Sequence, residues 1–143
     1  MNKHTTPIQI RFVDIDRMGH LNHATYLSYV ELARLKFYDH LFQSEEHEWH
    51  QQHGLIMART ECDYLDQVNY DDKIAVYTWC SRVGNKSFEL SWEIMKEIDD
   101  GQKAAAKGKT VIVCFDYKAN KAMEIPADKK KKLEDNLEIN FSS

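Results

Sequence analysis

The sequence has no excess of positive charge and no long apolar run. Its 143 residues carry 19 Lys and Arg against 23 Asp and Glu, a formal net charge of −4, which argues against a general nucleic-acid-binding protein, because such proteins need a basic face. No stretch approaches the roughly 20 apolar residues that span a bilayer. The first ten residues, MNKHTTPIQI, lack the apolar run of a signal peptide. We therefore expect neither nucleic acid nor a membrane as a partner.

Cysteine is scarce as well. The three cysteines, Cys62, Cys80 and Cys114, are an odd number, lie far apart and fall inside apolar or alternating segments. Disulfide frameworks and zinc sites use even sets or close pairs. We expect three reduced thiols in the core or in strands, and hence a cytoplasmic protein.

A polar segment rich in histidine interrupts the middle of the chain. His47, His50 and His53 recur at every third position within Glu45–His53. Helical metal pairs are usually separated by four residues, as in H-E-x-x-H. This spacing therefore favours a solvated helix or loop, and we expect no metal site.

The composition is that of one soluble globular domain. Hydrophobic residues make up 43% and charged residues 29% of the chain, a balance typical of folded rather than disordered proteins. The length suits one domain and is short for two. Since no repeat or linker divides the sequence, we expect a single domain over residues 1–143.

The periodicity of apolar residues predicts strands on both sides of a long helix. Ile8–Val13 alternates between apolar and polar residues, as in a half-buried strand. Ala24–Phe42 has no Gly or Pro and carries apolar residues around most of its circumference, which predicts a helix covered on most sides. After Gly54 come four strand-like runs, LIMARTECDYL, KIAVYTWCSRV, KSFELSWEIMKEI and KAAAKGKTVIVCFDY. Pro126 opens a short helix, ADKKKKLEDNLE.

These elements predict an α+β fold. Short polar breaks separate the strand-like runs, which favours an antiparallel meander. The long helix needs cover, and the sheet needs a partner for its apolar face. We therefore predict an antiparallel sheet of about five strands wrapped round a long central helix.

Two carboxylates, Asp14 and Asp16, lie between the first strand and this helix. Asn22 is a good N-cap, so the helix is predicted to begin at His23. A helix N-terminus carries roughly half a positive charge and can hold the oxyanion of an attacked carbonyl. A carboxylate nearby can act on an activated acyl group as general base or nucleophile. Spacing alone does not choose between Asp14 and Asp16, which would face opposite ways on an extended chain.

The segment DIDRMGHLNHATYLSYVELAR resembles the signature of the 4-hydroxybenzoyl-CoA thioesterase-like hot-dog family, D-x-D-x-x-G-h-h-x-[HN]-x-x-Y-h-x-[YFW]-h-E-x-A-R. The resemblance implies a hot-dog fold and hydrolysis of acyl-CoA or aroyl-CoA thioesters. It implies that Asp16 is the catalytic carboxylate, as base or nucleophile, and that the backbone N–H of His23 polarises the thioester. Asn22–His23 also resembles the Asn-Asn pair of long-chain acyl-CoA thioesterases.

The resemblance extends to substrate contacts and assembly. Within the signature, Gly19, His20 and Tyr26 are candidate substrate-binding residues, although His20 suits a turn equally well. GNKSFELSWEI resembles the family's G-x-x-S-F strand start, where coenzyme A contacts are usual, so Lys86 and Ser87 are candidates for the phosphate or pantetheine end. No cofactor is implied, because coenzyme A is part of the substrate. The family also implies homodimers with sheets joined side by side, often paired into homotetramers.

Other assignments remain open at this point. A second hot-dog lineage uses a catalytic Glu on the central helix, and Glu31 is the candidate here, although its place in E-L-A-R favours pairing with Arg34. Phe12 stands where some family members have Tyr. The alternative functions are an acyl-CoA-binding or sensor protein without turnover and a hydrolase of acyl-carrier-protein thioesters. A dehydratase is disfavoured because the chain lacks that group's His-x-x-x-Gly-x-Pro pattern.

Two further features have plain structural interpretations. Trp79 and Trp92, on neighbouring predicted strands, are expected to be packing residues. Lys129–Lys132 is a run of four lysines, and such runs usually form a solvated face.

Overall fold

The chain folds as one antiparallel sheet with a long helix against its inner face. The structure, a computed structural model, describes residues 3–43 and 53–137, and the side chain of His53 is not described. The elements, in chain order, are β1 (His4–Ile8), a 3-10 turn (Phe12–Asp14), α1 (His23–Phe42), β2 (His53–Tyr64), β3 (Ile74–Val83), β4 (Ser87–Ile98), β5 (Gly101–Asp116), β6 (Lys121–Ala122) and α2 (Ala127–Asp135). The predicted α+β architecture is confirmed.

The strand order is β1-β3-β4-β5-β2, and the short β6 pairs with the end of β5. The predicted meander holds for β3, β4 and β5, but β2 pairs with β5 instead of β3. The physical reason is the connection from β2 to β3: residues 65–73 form a loop rather than a tight turn. That loop lets β2 lie at the opposite edge of the sheet.

The first strand begins earlier than predicted. β1 spans His4–Ile8, so the predicted strand Ile8–Val13 is wrong beyond its first residue. β1 contains Pro7, which an edge strand tolerates because only one of its edges needs N–H donors. The last residues of the predicted strand belong instead to the 3-10 turn, which leaves Phe12 and Val13 83% and 75% exposed.

Helix α1 begins and ends close to the prediction, but it is covered on one side only. The carboxamide Oδ1 of Asn22 accepts the N–H of Ala24 at 3.0 Å, as expected of an N-cap. Two apolar clusters hold the helix on the sheet, one around Trp92 and the other around Phe88. On the side away from the sheet, Leu32 and Leu35 remain 44% and 46% exposed, so the expected cover is partial within one chain.

Most of the smaller predictions about individual side chains are confirmed. The three cysteines are free, and Trp79 and Trp92 are buried. The expected pairing of Glu31 with Arg34 is present at 3.9 Å. Lys129 corrects the prediction of a solvated lysine face: it is buried, with its ammonium 5.4 Å from the ring centroid of Phe42.

Within 3–43 and 53–137, no helix is long and apolar enough to cross a bilayer. The histidine-rich segment falls mainly on residues 44–52, so its predicted helix or loop lies outside the residues that the structure describes.

Candidate active site

A small hairpin carries Asp16 back towards the start of α1. Ile15 and Leu21 form an isolated bridge, and the N–H of Asp16 donates to the carbonyl of His20 at 2.8 Å. Gly19 occupies the turn with φ of +83°, a left-handed conformation that favours glycine. The hairpin therefore places Asp16 opposite His20, three residues before the first residue of α1.

The carboxylate of Asp16 is exposed and only half engaged. Its Oδ1 accepts the backbone N–H of Met18 at 2.8 Å and that of His20 at 3.3 Å. Within the described part of the chain, Oδ2 has no hydrogen-bond partner. One oxygen thus fixes the orientation of the carboxylate, and the other is available to a water molecule or to a substrate.

Asp14, two residues away, is in the opposite situation. It is 3% exposed, and its carboxylate accepts the N–H and the guanidinium of Arg11, at 3.0 and 2.9 Å, and the hydroxyl of Tyr29 at 2.5 Å. Burial alone would raise the pKa of Asp14, but the hydrogen bonds from Arg11 and Tyr29 outweigh burial and lower it. Burial and the same bond raise the pKa of Tyr29. Both carboxylate oxygens of Asp14 are therefore engaged in hydrogen bonds within the protein.

The start of α1 presents a free backbone donor. Asn22 engages the N–H of Ala24, and its own N–H donates to the carbonyl of Asp14 at 2.9 Å. The N–H of His23 has no acceptor among the described residues. The first N–H groups of a helix lack partners within the helix, so His23 offers a donor at the positive end of α1.

A cavity of about 440 Å³ opens beside this helix end. We call it the site cavity; its lining residues come from the hairpin, α1 and the segment that ends β2, and they are His20, Leu21, His23, Tyr26, Tyr64, Leu65, Asp66 and Gln67. It brings together three predicted residues, His20, His23 and Tyr26. Asp16 lies next to its wall, joined by a backbone hydrogen bond to His20.

Tyr26 and Tyr64 form the aromatic wall of the site cavity. Their ring centroids are 5.0 Å apart in an edge-to-face arrangement. The hydroxyl of Tyr26 donates to the carbonyl of Asp66 at 3.4 Å, and that of Tyr64 donates to the carbonyl of His23 at 3.0 Å. Burial raises the pKa of both phenols, so both remain neutral donors at neutral pH.

An ion-pair cluster fixes the rim of the site cavity. The carboxylate of Asp66 lies 3.0 Å from the ammonium of Lys96 and 3.1 Å from that of Lys103. These two lysines lower the pKa of Asp66 to about 2. Lys96 also donates to the carbonyl of Gln67 at 2.7 Å, so the loop after β2 is tied to β4 and β5.

Lys86 and Ser87 lie at the other end of the sheet. Ser87 pairs with Val113, whereas Lys96, near the site cavity, lies at the far end of the same strand. Lys96 follows Ser87 by nine positions along β4, a distance of about 30 Å. A single chain therefore does not bring the predicted coenzyme A contacts to the hairpin of Asp16.

Several residues at this site were not found from the sequence. Arg11 and Tyr29 decide which carboxylate is buried, and Tyr64 reaches the first turn of α1 from 41 residues away. The pairing of β2 with β5 determines where Tyr64 lies. No local pattern signals such a contact, whereas the three-residue spacing of Arg11 and Asp14 offered a weak signal for their ion pair.

The chain is similar to known thioesterases over nearly its whole length. A family model described as the thioesterase-like superfamily matches residues 10–133. The long-chain acyl-CoA thioesterase FadM of Escherichia coli (strain K12) is 28% identical over 131 residues, which cover 90% of this chain and 96% of FadM. The uncharacterized protein YsmA of Bacillus subtilis (strain 168) is 31% identical over 85 residues, 59% of this chain and little more than half, 56%, of YsmA.

A solved structure supports the same assignment. A thioesterase from Thermus thermophilus, complexed with coenzyme A and Zn, superposes with a TM-score of 0.77 at 26% identity, over 94% of this chain and 92% of that one. The hot-dog fold and the thioesterase class that the motif predicted are thereby confirmed. The chain belongs to the thioesterase-like superfamily.

Proposed function

We propose that this protein hydrolyses acyl-CoA or aroyl-CoA thioesters to the free acid and coenzyme A, with Asp16 as the reactive carboxylate. The observation that carries the proposal is the half-engaged carboxylate of Asp16, held beside a helix start whose first N–H is free. The name of FadM, a long-chain acyl-CoA thioesterase, and the coenzyme A in the related Thermus thermophilus structure support this substrate class.

The geometry suits attack on a polarised thioester. The carbonyl oxygen accepts the N–H of His23, aided by the Asn22 cap that fixes the first turn, and the negative charge that develops on it is stabilised there. As general base, Asp16 takes a proton from water through Oδ2 while the hydroxide adds to the carbonyl carbon. The tetrahedral intermediate collapses, the C–S bond breaks, and coenzyme A leaves as the thiol with the proton that Asp16 returns. As nucleophile, Asp16 instead attacks the carbonyl carbon and the C–S bond breaks, so that coenzyme A leaves as the thiolate; water then hydrolyses the mixed anhydride to the free acid and restores Asp16.

We assign substrate contacts to the residues around this point. Tyr26 lines the acyl side of the site cavity, His20 its hairpin side, and Gly19 allows the turn that orients Asp16. Lys86 and Ser87 remain our candidates for the phosphate or pantetheine end of coenzyme A. We expect no metal or separate cofactor.

A homodimer would unite these two groups of residues. Within the described residues, β2 pairs with β5 along one edge and with no strand along the other, and a long unpaired edge readily pairs with another strand. Ile56 and Met57 on β2 are 37% and 49% exposed. A two-fold pairing of two β2 strands is antiparallel, so the hairpin with Lys86 and Ser87 in one subunit approaches the Asp16 end of the other.

Two such dimers can join as a homotetramer. Light scattering coupled to gel filtration measures this state directly, and a monomer would contradict the assembly. We further propose a cytoplasmic location, because three free thiols suit a reducing compartment.

The test of the proposal is thiol release from a panel of short-chain, long-chain and aromatic CoA thioesters. We expect Asp16→Asn to lower kcat by about 100- to 10,000-fold, the usual contribution of a positioned acid or base. Asn keeps an Oδ1 acceptor for the turn, so folding should not change. Asp39→Asn is the matched control, since Asp39 is exposed on α1 about 24 Å along the helix from His23.

Each alternative function gives its own result. Binding of CoA thioesters without turnover by the wild type would indicate a sensor protein and contradict the proposal. Hydrolysis of acyl-carrier-protein thioesters alone would keep the chemistry but overturn the substrate. Full activity of both Asp16→Asn and Asp16→Ala would remove Asp16 from the mechanism.

A further inference from the structure

The crevice between α1 and β2 continues beyond the candidate site. At the site end it opens as the site cavity, between His23 and Tyr26 of α1 and Tyr64 of β2. Farther along the same two elements lies a second cavity of about 150 Å³, the inner cavity, whose apolar wall includes Leu27, Val30 and Met57. The two cavities therefore lie in series between the same helix and the same strand.

The aromatic wall of Tyr26 and Tyr64 stands between these cavities. On β2, Tyr64 follows Thr60 of the inner cavity by four residues, so both side chains lie on the same face of the strand. On α1, Tyr26 directly precedes Leu27 of the inner cavity. The rings of Tyr26 and Tyr64 meet edge to face at 5.0 Å, on the side of the site cavity that faces Leu27 and Thr60.

The two tyrosines differ in how firmly they are held. Tyr26 is 4% exposed and belongs to the core cluster around Trp92. Tyr64 is 48% exposed. Its hydroxyl donates to the carbonyl of His23 at 3.0 Å and lies within hydrogen-bonding reach of the thiol of Cys62, two residues earlier on β2. The side chain of Tyr64 can therefore be shortened without creating a cavity in the core.

The inner cavity offers an acyl chain an apolar wall made of Leu27, Val30 and Met57. Ser28 and Thr60 also line it, and at its far end Glu31 and Arg34 form an ion pair of 3.9 Å, which would mark the limit of an apolar chain. A thioester whose carbonyl lies at the His23 N–H reaches this space only past Tyr64. We propose that Tyr64 is a specificity-determining residue whose ring closes the acyl pocket and limits the length of the chain. This inference rests on hydrolysis at Asp16.

The test compares two substrates in four proteins. The quantity measured is the ratio of kcat/KM for dodecanoyl-CoA to that for butanoyl-CoA, in the wild type, Tyr64→Ala, Tyr64→Phe and Leu27→Trp. Each methylene that gains an apolar wall is worth about fourfold, so Tyr64→Ala should raise the ratio at least tenfold. Tyr64→Phe keeps the ring and should leave the ratio within about twofold. Leu27→Trp fills the inner cavity from the helix side and should lower the ratio.

The outcomes separate this inference from the proposed function. Butanoyl-CoA turnover in the wild type with an unchanged ratio in Tyr64→Ala would overturn the proposed role of Tyr64 and leave the proposed hydrolysis intact. A raised ratio in Tyr64→Phe would show that the hydrogen bond to His23, and not the ring, sets the limit. Calorimetry in an Asp16→Asn background gives the corresponding ratio of dissociation constants for the two thioesters, so the role of Tyr64 is tested even if the wild type hydrolyses nothing. Tm values identify any variant that fails to fold.

Discussion

Asp14 and Asp16 are the same residue type two positions apart, yet they occupy opposite environments. Asp14 is 3% exposed and accepts hydrogen bonds from Arg11 and Tyr29. Asp16 is exposed, and one of its oxygens has no partner within the described residues. A carboxylate whose acceptors are all engaged stabilises the fold, whereas one with a free oxygen can take part in a reaction.

The difference has a structural cause. Asp14 closes the 3-10 turn that begins at Phe12, and this turn directs its side chain towards α1 and Tyr29. Asp16 lies in the hairpin beyond that turn, and its carboxylate faces the backbone of Met18 and His20. The buried acid fastens the loop to the helix, so the exposed acid is held in place while one of its oxygens stays free.

The largest effect on stability is expected from Asp14→Ala. The substitution removes the ion pair with Arg11 and leaves the buried Tyr29 hydroxyl without its acceptor, which should lower the free energy of unfolding by about 3 kcal/mol. Urea denaturation measures this change. Asp39→Ala, on an exposed position of α1, serves as the control and should change it by less than about 0.5 kcal/mol. Equal effects of the two substitutions would contradict a structural role for Asp14.

A smaller effect is expected from Tyr29→Phe. The ring and its packing remain, but Asp14 loses its 2.5 Å hydrogen bond, which should cost about 2 kcal/mol because the acceptor is charged and buried. Tyr70→Phe is the matched control, since Tyr70 is 49% exposed. If both substitutions leave the unfolding midpoint in urea unchanged, the bond from Tyr29 contributes nothing to stability.

The smallest expected effect is the change of the stability difference with pH in acid solution. Because the pKa of Asp14 in the folded protein lies below its ordinary value of 3.8, its contribution to stability is full above that value and is lost as the pH falls through the lower, folded value. The stability difference between wild type and Asp14→Asn should therefore shrink between about pH 5 and about pH 2. A difference that grows in acid would show that the pKa of Asp14 is raised instead.

Local signals predicted the helix, but not the positions of the strands around it. Asn22 and the absence of Gly and Pro defined α1, because capping and propensity act within a few residues. The position of β2 beside β5, and with it the contact of Tyr64 with His23, depends on residues far apart in the chain. The alternation of Ile8–Val13 predicted a strand where the chain turns, since side-chain periodicity does not distinguish the two over so short a segment.

The site was predictable in part. The spacing of Asp14, Asp16 and Asn22 suggested a carboxylate near a helix start, and the family signature favoured Asp16. The burial of Asp14 follows from Tyr29, a residue on the second turn of α1 whose hydroxyl reaches back across 15 positions. The separation of Lys86 and Ser87 from Asp16 could not be read from the sequence either, because it follows from the strand order.

The most direct test measures kcat and the free energy of unfolding together in Asp16→Asn and Asp14→Asn. The two substitutions are predicted to affect different quantities, one the activity and the other the stability. Asp16→Asn should lose at least about 100-fold in kcat on the best CoA thioester and change stability by less than about 0.5 kcal/mol. Asp14→Asn should lose more than about 1 kcal/mol of stability and keep kcat within about tenfold. Full activity in Asp16→Asn, or loss of activity confined to Asp14→Asn, would contradict the assignment of the reactive carboxylate.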